Sequence, residues 1–369
     1  AYPLRCADLA SDVMQEVFGK TAYAWQQQVI AHLCSMQTPQ SGIVSAPVLL
    51  VRPTGGGKSA VRDVYSILSG GFSLTITPLL SLGADQEEKL TLRAKDTGGT
   101  VAAVLLDEVR SVADQQALIN VLKALPADGH TTIIIFSSPQ AILNNKFLWL
   151  EFIDWLILNN RLSLVCVDEV HLFVHFGLTF RDEFRQLTTG LFNKLKVTGS
   201  TKRTAIPLLF MTGTCTRHIV QSIEKIIGIK FDTTHNVFWP GPEDMKHRQV
   251  LLDVAYTTQP LALFKKRVAL TLKVDTVEKF IVYSNTRATV DRVLPKIVEW
   301  IDMEGYKSDV LKIVGNLHRE QKFYHIRCFT KPNAANADIF AAGIDDDRPP
   351  CREDERPFNP QILIATSGA

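Results

Sequence analysis

Residues 54–59 read Thr-Gly-Gly-Gly-Lys-Ser, set between an apolar run, PVLLV at 47–51, and a segment of helical spacing that begins AVRDVYSIL. Each glycine gives up more backbone freedom on folding than any other residue, so three in succession need a reason. A glycine loop between a strand and a helix leaves backbone N–H groups pointing inward at an anion. Lysine adds a point charge there, and the serine hydroxyl is suited to Mg2+. The expected phosphate-binding set is Thr54, Gly55, Gly56, Gly57, Lys58 and Ser59. Arg52 stands where the phosphate-loop pattern has its first glycine, so the match is partial. Hydrolysis at such a loop needs a carboxylate at the end of a neighbouring strand to hold Mg2+, and a second acid for the attacking water. Asp107-Glu108 and Asp168-Glu169 both follow apolar runs, and local pattern alone does not choose between them. His171 and the residues after it favour Asp168 for the metal and Glu169 for the water, which leaves Asp107 and Glu108 as solvated residues at a strand end.

These residues need a frame that brings strand ends together. Short apolar runs recur at 47–51, 73–77, 101–106, 131–136, 162–167 and 206–211, separated by segments of helical spacing with polar faces such as 59–69 and 81–94. Apolar residues on both faces of each run predict a mostly parallel sheet covered by helices, an α/β domain. The stretch FWPGPEDMKHR at 238–248 has the composition of a domain boundary. A second α/β set follows, with strands expected at 250–256, 279–284, 309–315 and 361–366 and a helix over 286–302. The domains are therefore expected at 1–244, with a short N-terminal helical segment, and at 245–369. Residues 330–360, rich in Asp, Pro and Arg, read as a surface insertion or a partner-binding loop.

Composition narrows the class. The chain has 369 residues, 46% of them hydrophobic and 21% charged, with a formal net charge of +2. That excludes a disordered, fibrous or strongly basic protein, and the length exceeds what one core usually organises. Six scattered cysteines without a Cys-x-x-Cys pair read as buried free thiols in a reducing compartment, with no zinc site. No signal core or membrane span is legible. An intracellular location is expected, nuclear in a eukaryotic cell.

Taken in order, RPTGGGKS, TPLLSLGADQ at 77–86, SSPQ at 137–140, VDEVHLFVHFGLTFRDEFRQL at 167–187 and MTGT at 211–214 resemble the motifs of superfamily 2 helicases, and most of all RecQ-type DNA helicases of the DExH kind. The resemblance is strong over residues 20–215 and looser over 246–369. It implies two RecA-like domains in tandem with ATP and Mg2+ between them, and movement along DNA with 3′–5′ polarity. Lys58, Asp168, Glu169 and His171 would be catalytic, with Ser59 and Asp168 at the metal. Gln26, in YAWQQQVI, would read adenine, although Gln27 and Gln28 leave the register open by one and Tyr23 stands where the family has Arg.

Asp85 and Gln86 would couple the site to DNA, as would Thr212 and Thr214. Phe173, Phe176 and Phe180 would stack on bases, each worth about 1–3 kcal/mol, unless they simply pack in the core. Arg181 would reach a phosphate or the nucleotide, and Asn285 and Arg287 would lie near the cleft or the DNA backbone. The second domain is expected to be incomplete in this chain, the arginine finger lying beyond residue 369, so slow hydrolysis is expected. RNA as the track, or a nucleotide-gated binding module without turnover, remain the alternatives.

Overall fold

Six of the apolar runs form strands, β1 (Val48–Val51), β2 (Gly71–Ile76), β3 (Val101–Leu105), β4 (Thr132–Ser137), β5 (Leu162–Val167) and β6 (Leu208–Thr212), all buried along almost their whole length except β3, which is buried only at Val101 and Leu105. With the short β7 (Val237–Phe238) they make one parallel sheet in the order β3-β4-β2-β5-β6-β1-β7. The computed structural model describes residues 2–36, 47–77, 86–87, 90, 101–109, 111–126, 131–175, 186–192, 195, 206–228, 230–241, 258–272, 280–284, 286–304, 306, 309–313 and 360–366.

Two cores explain why these strands are apolar on both faces. Leu49 and Val51 of β1 join Phe72, Ile133 and Ile135 of β4, Phe152 and Phe210 on one side. Val48 and Leu50 face the other, against Val61, Val64 and Tyr65 of helix α3 (Lys58–Ser69) and Val29, Ile30 and Leu33 of helix α2 (Ala24–Met36). Helix α1 (Tyr2–Phe18) adds Ala10 and Met14 to this second core. Burying a strand on both faces is the arrangement a parallel sheet requires.

The polar face expected of residues 59–69 is not a solvent face. Arg62, Asp63 and Ser66 of α3 are all buried, because Arg62 pairs with Asp63 and Ser66 bonds the Arg62 carbonyl and Ser73 of β2. Gly71 begins β2 two residues earlier than the apolar run predicts. Its φ of 71° and a Cβ position 2.7 Å from the Arg161 carbonyl oxygen leave room for glycine alone.

The chain divides into two compact units, Ala1–Val250 and Leu251–Ala369. In the second, β8 (Phe280–Ser284), β9 (Asp309–Ile313) and β10 (Pro360–Thr366) pair in parallel, in the order β8-β10-β9. The helix Arg287–Met303 packs Val290, Ile297, Trp300 and Ile301 with Ile362 and Ile364 of β10. The strand expected at 250–256 and most of the 330–360 insertion lie outside the described residues. Among the described residues no helix is long and apolar enough to cross a membrane. Cys34 and Cys166 are buried cysteines outside any disulfide, whereas Cys215 is half-buried, on the loop that follows β6.

Candidate nucleotide site

All strands of the large sheet run the same way, so their carboxyl ends share one edge, and strand order decides which loops meet. β6 lies between β1 and β5, bringing the glycine loop after β1, the Asp-Glu-Val-His turn after β5 and the Thr-Gly-Thr turn after β6 side by side. β3 sits at the far edge of the sheet. This separates the two acidic pairs that local pattern leaves open. Asp107 there accepts the Ser138 backbone N–H at 2.8 Å and the Ser138 hydroxyl, at the start of helix Pro139–Asn144. It is a half-buried structural carboxylate rather than a solvated one.

The glycines shape the loop. Gly55 and Gly57 have φ of 75° and 92°, and a Cβ on Gly57 would stand 2.7 Å from Gln26 Nε2. Gly57→Ala is expected to lower stability by about 1–3 kcal/mol, the cost of a side chain forced into this region of φ, and to weaken nucleotide binding. A urea midpoint and a nucleotide affinity both equal to the native values would contradict this. Of the three successive glutamines, Gln26 is the one turned to the loop. Its Oε1 accepts the Tyr23 N–H at 2.8 Å and its Nε2 donates to the Gly57 carbonyl at 3.0 Å. Gln27 instead donates to Ser11 Oγ, and Gln28 is exposed.

Lys58 opens α3 and is 8% exposed, with Nζ donating to the carbonyls of Arg52 at 3.0 Å and Pro53 at 3.4 Å. The side chain is thus folded over its own loop, where a phosphate's oxygens would replace the carbonyls. Ser59 follows at the second position of the helix. Arg52, the departure from the phosphate-loop pattern, has a structural place. Its guanidinium lies 4.6 Å from the centre of the Trp25 ring and donates to the Trp239 carbonyl, joining α2, the end of β1 and the segment after β7.

Around the second turn, Asp168 is buried at 3% exposure and both carboxylate oxygens are held. Oδ1 accepts the Glu169 N–H at 2.9 Å, and Oδ2 accepts Gln86 Nε2 at 2.9 Å. Gln86, expected on the path to DNA, touches the acidic turn directly. Glu169 has φ of 46°, a conformation that non-glycine residues hold only when their surroundings impose it and that clusters at functional sites. Its Oε2 accepts the Gly213 N–H at 3.3 Å and lies 3.3 Å from His171 Nδ1. Burial pushes the Glu169 carboxyl up, but the His171 hydrogen bond, the Lys58 charge and the Gly213 N–H outweigh it, and the group is held below the ordinary glutamate value.

The third turn fixes the histidine. Thr212 Oγ1 has one hydrogen, which it donates to the Thr214 carbonyl at 2.9 Å, while accepting the Thr214 N–H at 3.2 Å. His171 Nδ1, 2.8 Å from the same oxygen, must therefore be the donor, and its proton is shared with Glu169. Gly213, which the sequence reading did not single out, is where the turns converge. A Cβ there would lie 3.0 Å from Thr54 Oγ1 and 3.5 Å from Lys58 Nζ. The signal was present in the quoted Met-Thr-Gly-Thr string.

These residues fit a Mg2+-bound nucleoside triphosphate. Glycines open a space beside a buried ammonium, and a buried carboxylate with both oxygens already oriented stands two strands away. Arg287 lies in the other unit, exposed at the start of its helix and paired with Asp291 at 3.3 Å. Asp85, Phe176, Phe180, Arg181 and Asn285 lie outside the described residues, as does the side chain of Phe173, whose backbone belongs to the helical turn Leu172–His175.

Among curated proteins, the chain is 27% identical over 197 residues to ATP-dependent DNA helicase Q1 of Rattus norvegicus, covering 53% of this chain and 28% of that one. It is 26% identical over 178 residues to ATP-dependent DNA helicase RecQ of Pasteurella multocida, covering 48% and 24%. The chain thus spans less than a third of the length of these relatives, and they bear out the resemblance to RecQ-type helicases. Among solved structures, S. cerevisiae Dbp5 bound to RNA and ADP BeF3 superposes with a TM-score of 0.56 at 12% identity, over 100% of this chain and 76% of that one. The helicase MrfA bound to DNA and AMPPNP gives 0.56 at 16% identity, over 96% and 50%. These likenesses establish the fold, α/β with RecA-like sheets in tandem. The DEAD/DEAH box helicase family matches residues 23–223. That span is more than half of the chain and runs from the residue whose N–H Gln26 caps to the helix behind Gly213, so it takes in every turn of the site. The chain belongs to the DEAD/DEAH box helicase family.

Proposed function

We propose that this chain is the motor core of a RecQ-like, ATP-dependent DNA helicase, in which hydrolysis is coupled to gripping a single strand and unwinding the duplex. The observation that carries the reading is the convergence of Thr54, Lys58 and Glu169 on Gly213. Lys58 binds the β and γ phosphates, with the loop N–H groups of residues 55–57 on the phosphate oxygens. Glu169, kept ionised by its neighbours, orients the attacking water and takes its proton. Mg2+, held by Ser59 and Asp168, supplies charge neutralisation at the phosphate oxygens. Gln26 props the loop and borders the adenine position.

His171 ties Glu169 to Thr212, and through Thr214 to the segment leading into helix Arg217–Ile227. Binding of a strand by Phe173, Phe176, Phe180 and Arg181, the contacts the RecQ-like reading assigns, would reach the water-orienting acid by this route. Asp85, Asn285 and Arg287 belong to the same DNA-facing set, and 3′–5′ polarity follows the RecQ-like reading. The domains are taken as 1–244 and 245–369. DNA is favoured over RNA because the sequence relatives are named DNA helicases. Comparing single-stranded DNA with RNA of the same sequence as stimulators of ATP hydrolysis tests this. Stronger stimulation by DNA is expected, and stronger stimulation by RNA would overturn the choice of track.

A further inference from the structure

Behind the phosphate loop lies a buried charge that the mechanism above does not use. Arg62 sits one helical turn after Lys58 on α3 and is 1% exposed. Its Nε and NH2 donate to Asp63 Oδ1 at 2.7 and 2.5 Å, and its NH1 donates to Gln86 Oε1 at 2.6 Å. The guanidinium centre lies 4.8 Å from the middle of the Phe136 ring. Gln86 Nε2 completes the chain on Asp168 Oδ2 at 2.9 Å. All four residues are buried, at 1% for Arg62, 4% for Asp63, 8% for Gln86 and 3% for Asp168.

A buried ion pair is weak evidence for stability, because well-packed apolar residues of the same volume often do as well or better. What this one provides is direction. Arginine donates and never accepts, so Gln86 must turn Oε1 toward Arg62. Its NH2 group is then committed to Asp168. The Asp168 carboxylate, an acceptor only, calls for the same orientation, so Arg62 and Asp168 hold Gln86 from its two ends. With Gln86 on Oδ2 and the Glu169 N–H on Oδ1, the Asp168 side chain is set in one rotamer before any ligand arrives.

We propose that Arg62 is a positioning residue for the metal site, acting through Gln86 to fix the orientation of the Asp168 carboxylate. The inference rests on the reading of Asp168 as the Mg2+-holding acid. Outer-shell partners of this kind are typically worth about 10–100-fold in metal affinity. The charge of Arg62 also offsets that of Asp63, so the segment approaches Asp168 without adding a second net negative group.

The test measures binding of a fluorescent, non-hydrolysable ATP analogue to the whole chain across a Mg2+ titration and in EDTA. Native protein, Arg62→Met, Gln86→Met, the double variant and Arg62→Lys are compared. Arg62→Met and Gln86→Met are each expected to raise the half-saturating Mg2+ by about 10-fold or more, with analogue affinity in EDTA kept. The double variant is expected to match the single ones, because both break one chain. Arg62→Lys, which keeps charge and a donor, is expected to fall between native and Arg62→Met.

Folded variants with native Mg2+ dependence, or single shifts that multiply in the double variant, would overturn the proposal while leaving the nucleotide site standing. Should Arg62→Met fail to fold, Gln86→Met carries the decision, since it leaves the Arg62–Asp63 pair in place. If the native chain bound the analogue with no response to Mg2+, the metal reading of Asp168 and this inference would fall together.

Discussion

Replacing Lys58 with alanine is expected to reduce ATP turnover by about 10²–10³-fold or more, the typical cost of removing one preorganised donor from a developing phosphoryl charge. The residue has no substitute in the loop. Its ammonium lies 3.5 Å from a Cβ placed on Gly213, where the three turns meet, and it contributes to keeping Glu169 ionised. The loop itself should persist, because Pro53 O still accepts the Gly56 N–H at 2.9 Å and Gln26 still holds Gly57. Thermal unfolding of the variant should therefore stay close to native while nucleotide affinity and turnover fall together. A Lys58→Ala protein with near-native turnover would remove the glycine loop from the chemistry.

Glu169→Gln is expected to separate what Lys58→Ala takes away together. Glutamine keeps the volume and an oxygen for the Gly213 N–H, but it has no charge and does not take a proton from water. Turnover should fall by about 10²–10⁴-fold, the range of a positioned general base, while affinity for the nucleotide is retained. Single-turnover hydrolysis and equilibrium binding on the same preparation check this. Parallel loss of binding and turnover would mean that Glu169 serves the architecture of the turn, where its φ of 46° already shows strain, rather than the water.

Much of the large sheet was legible because parallel strands buried on both faces leave an unbroken apolar signature. β5 coincides with the predicted run at 162–167, bounded by Arg161 and Asp168. β7, two residues long, has no period to detect, and its pairing with β1 depends on the chain returning to Leu49. The catalytic candidates were legible because their types and spacing are local. Arg52 and Arg62 were not. Arg52 reads as a flaw in the glycine pattern until the fold brings up Trp25 from α2 and the Trp239 carbonyl that follows β7. Arg62 and Asp63, adjacent charges on an amphipathic helix, read as a solvent face. Their burial follows from Gln86 and Asp168, which no local window contains. The preference for Asp168 over Asp107 was legible in His171 and the residues after it, and strand order adds a second reason by setting β5 beside β6 and β3 at the sheet's edge.

The most direct test of the motor reading is steady-state ATP hydrolysis by this chain with and without single-stranded DNA, with Lys58→Ala run alongside. A rate that DNA raises and Lys58→Ala abolishes is the predicted result. ATP binding with a hydrolysis rate indifferent to DNA would contradict it, and would make the Thr-Gly-Gly-Gly-Lys-Ser loop part of a nucleotide-gated binding module.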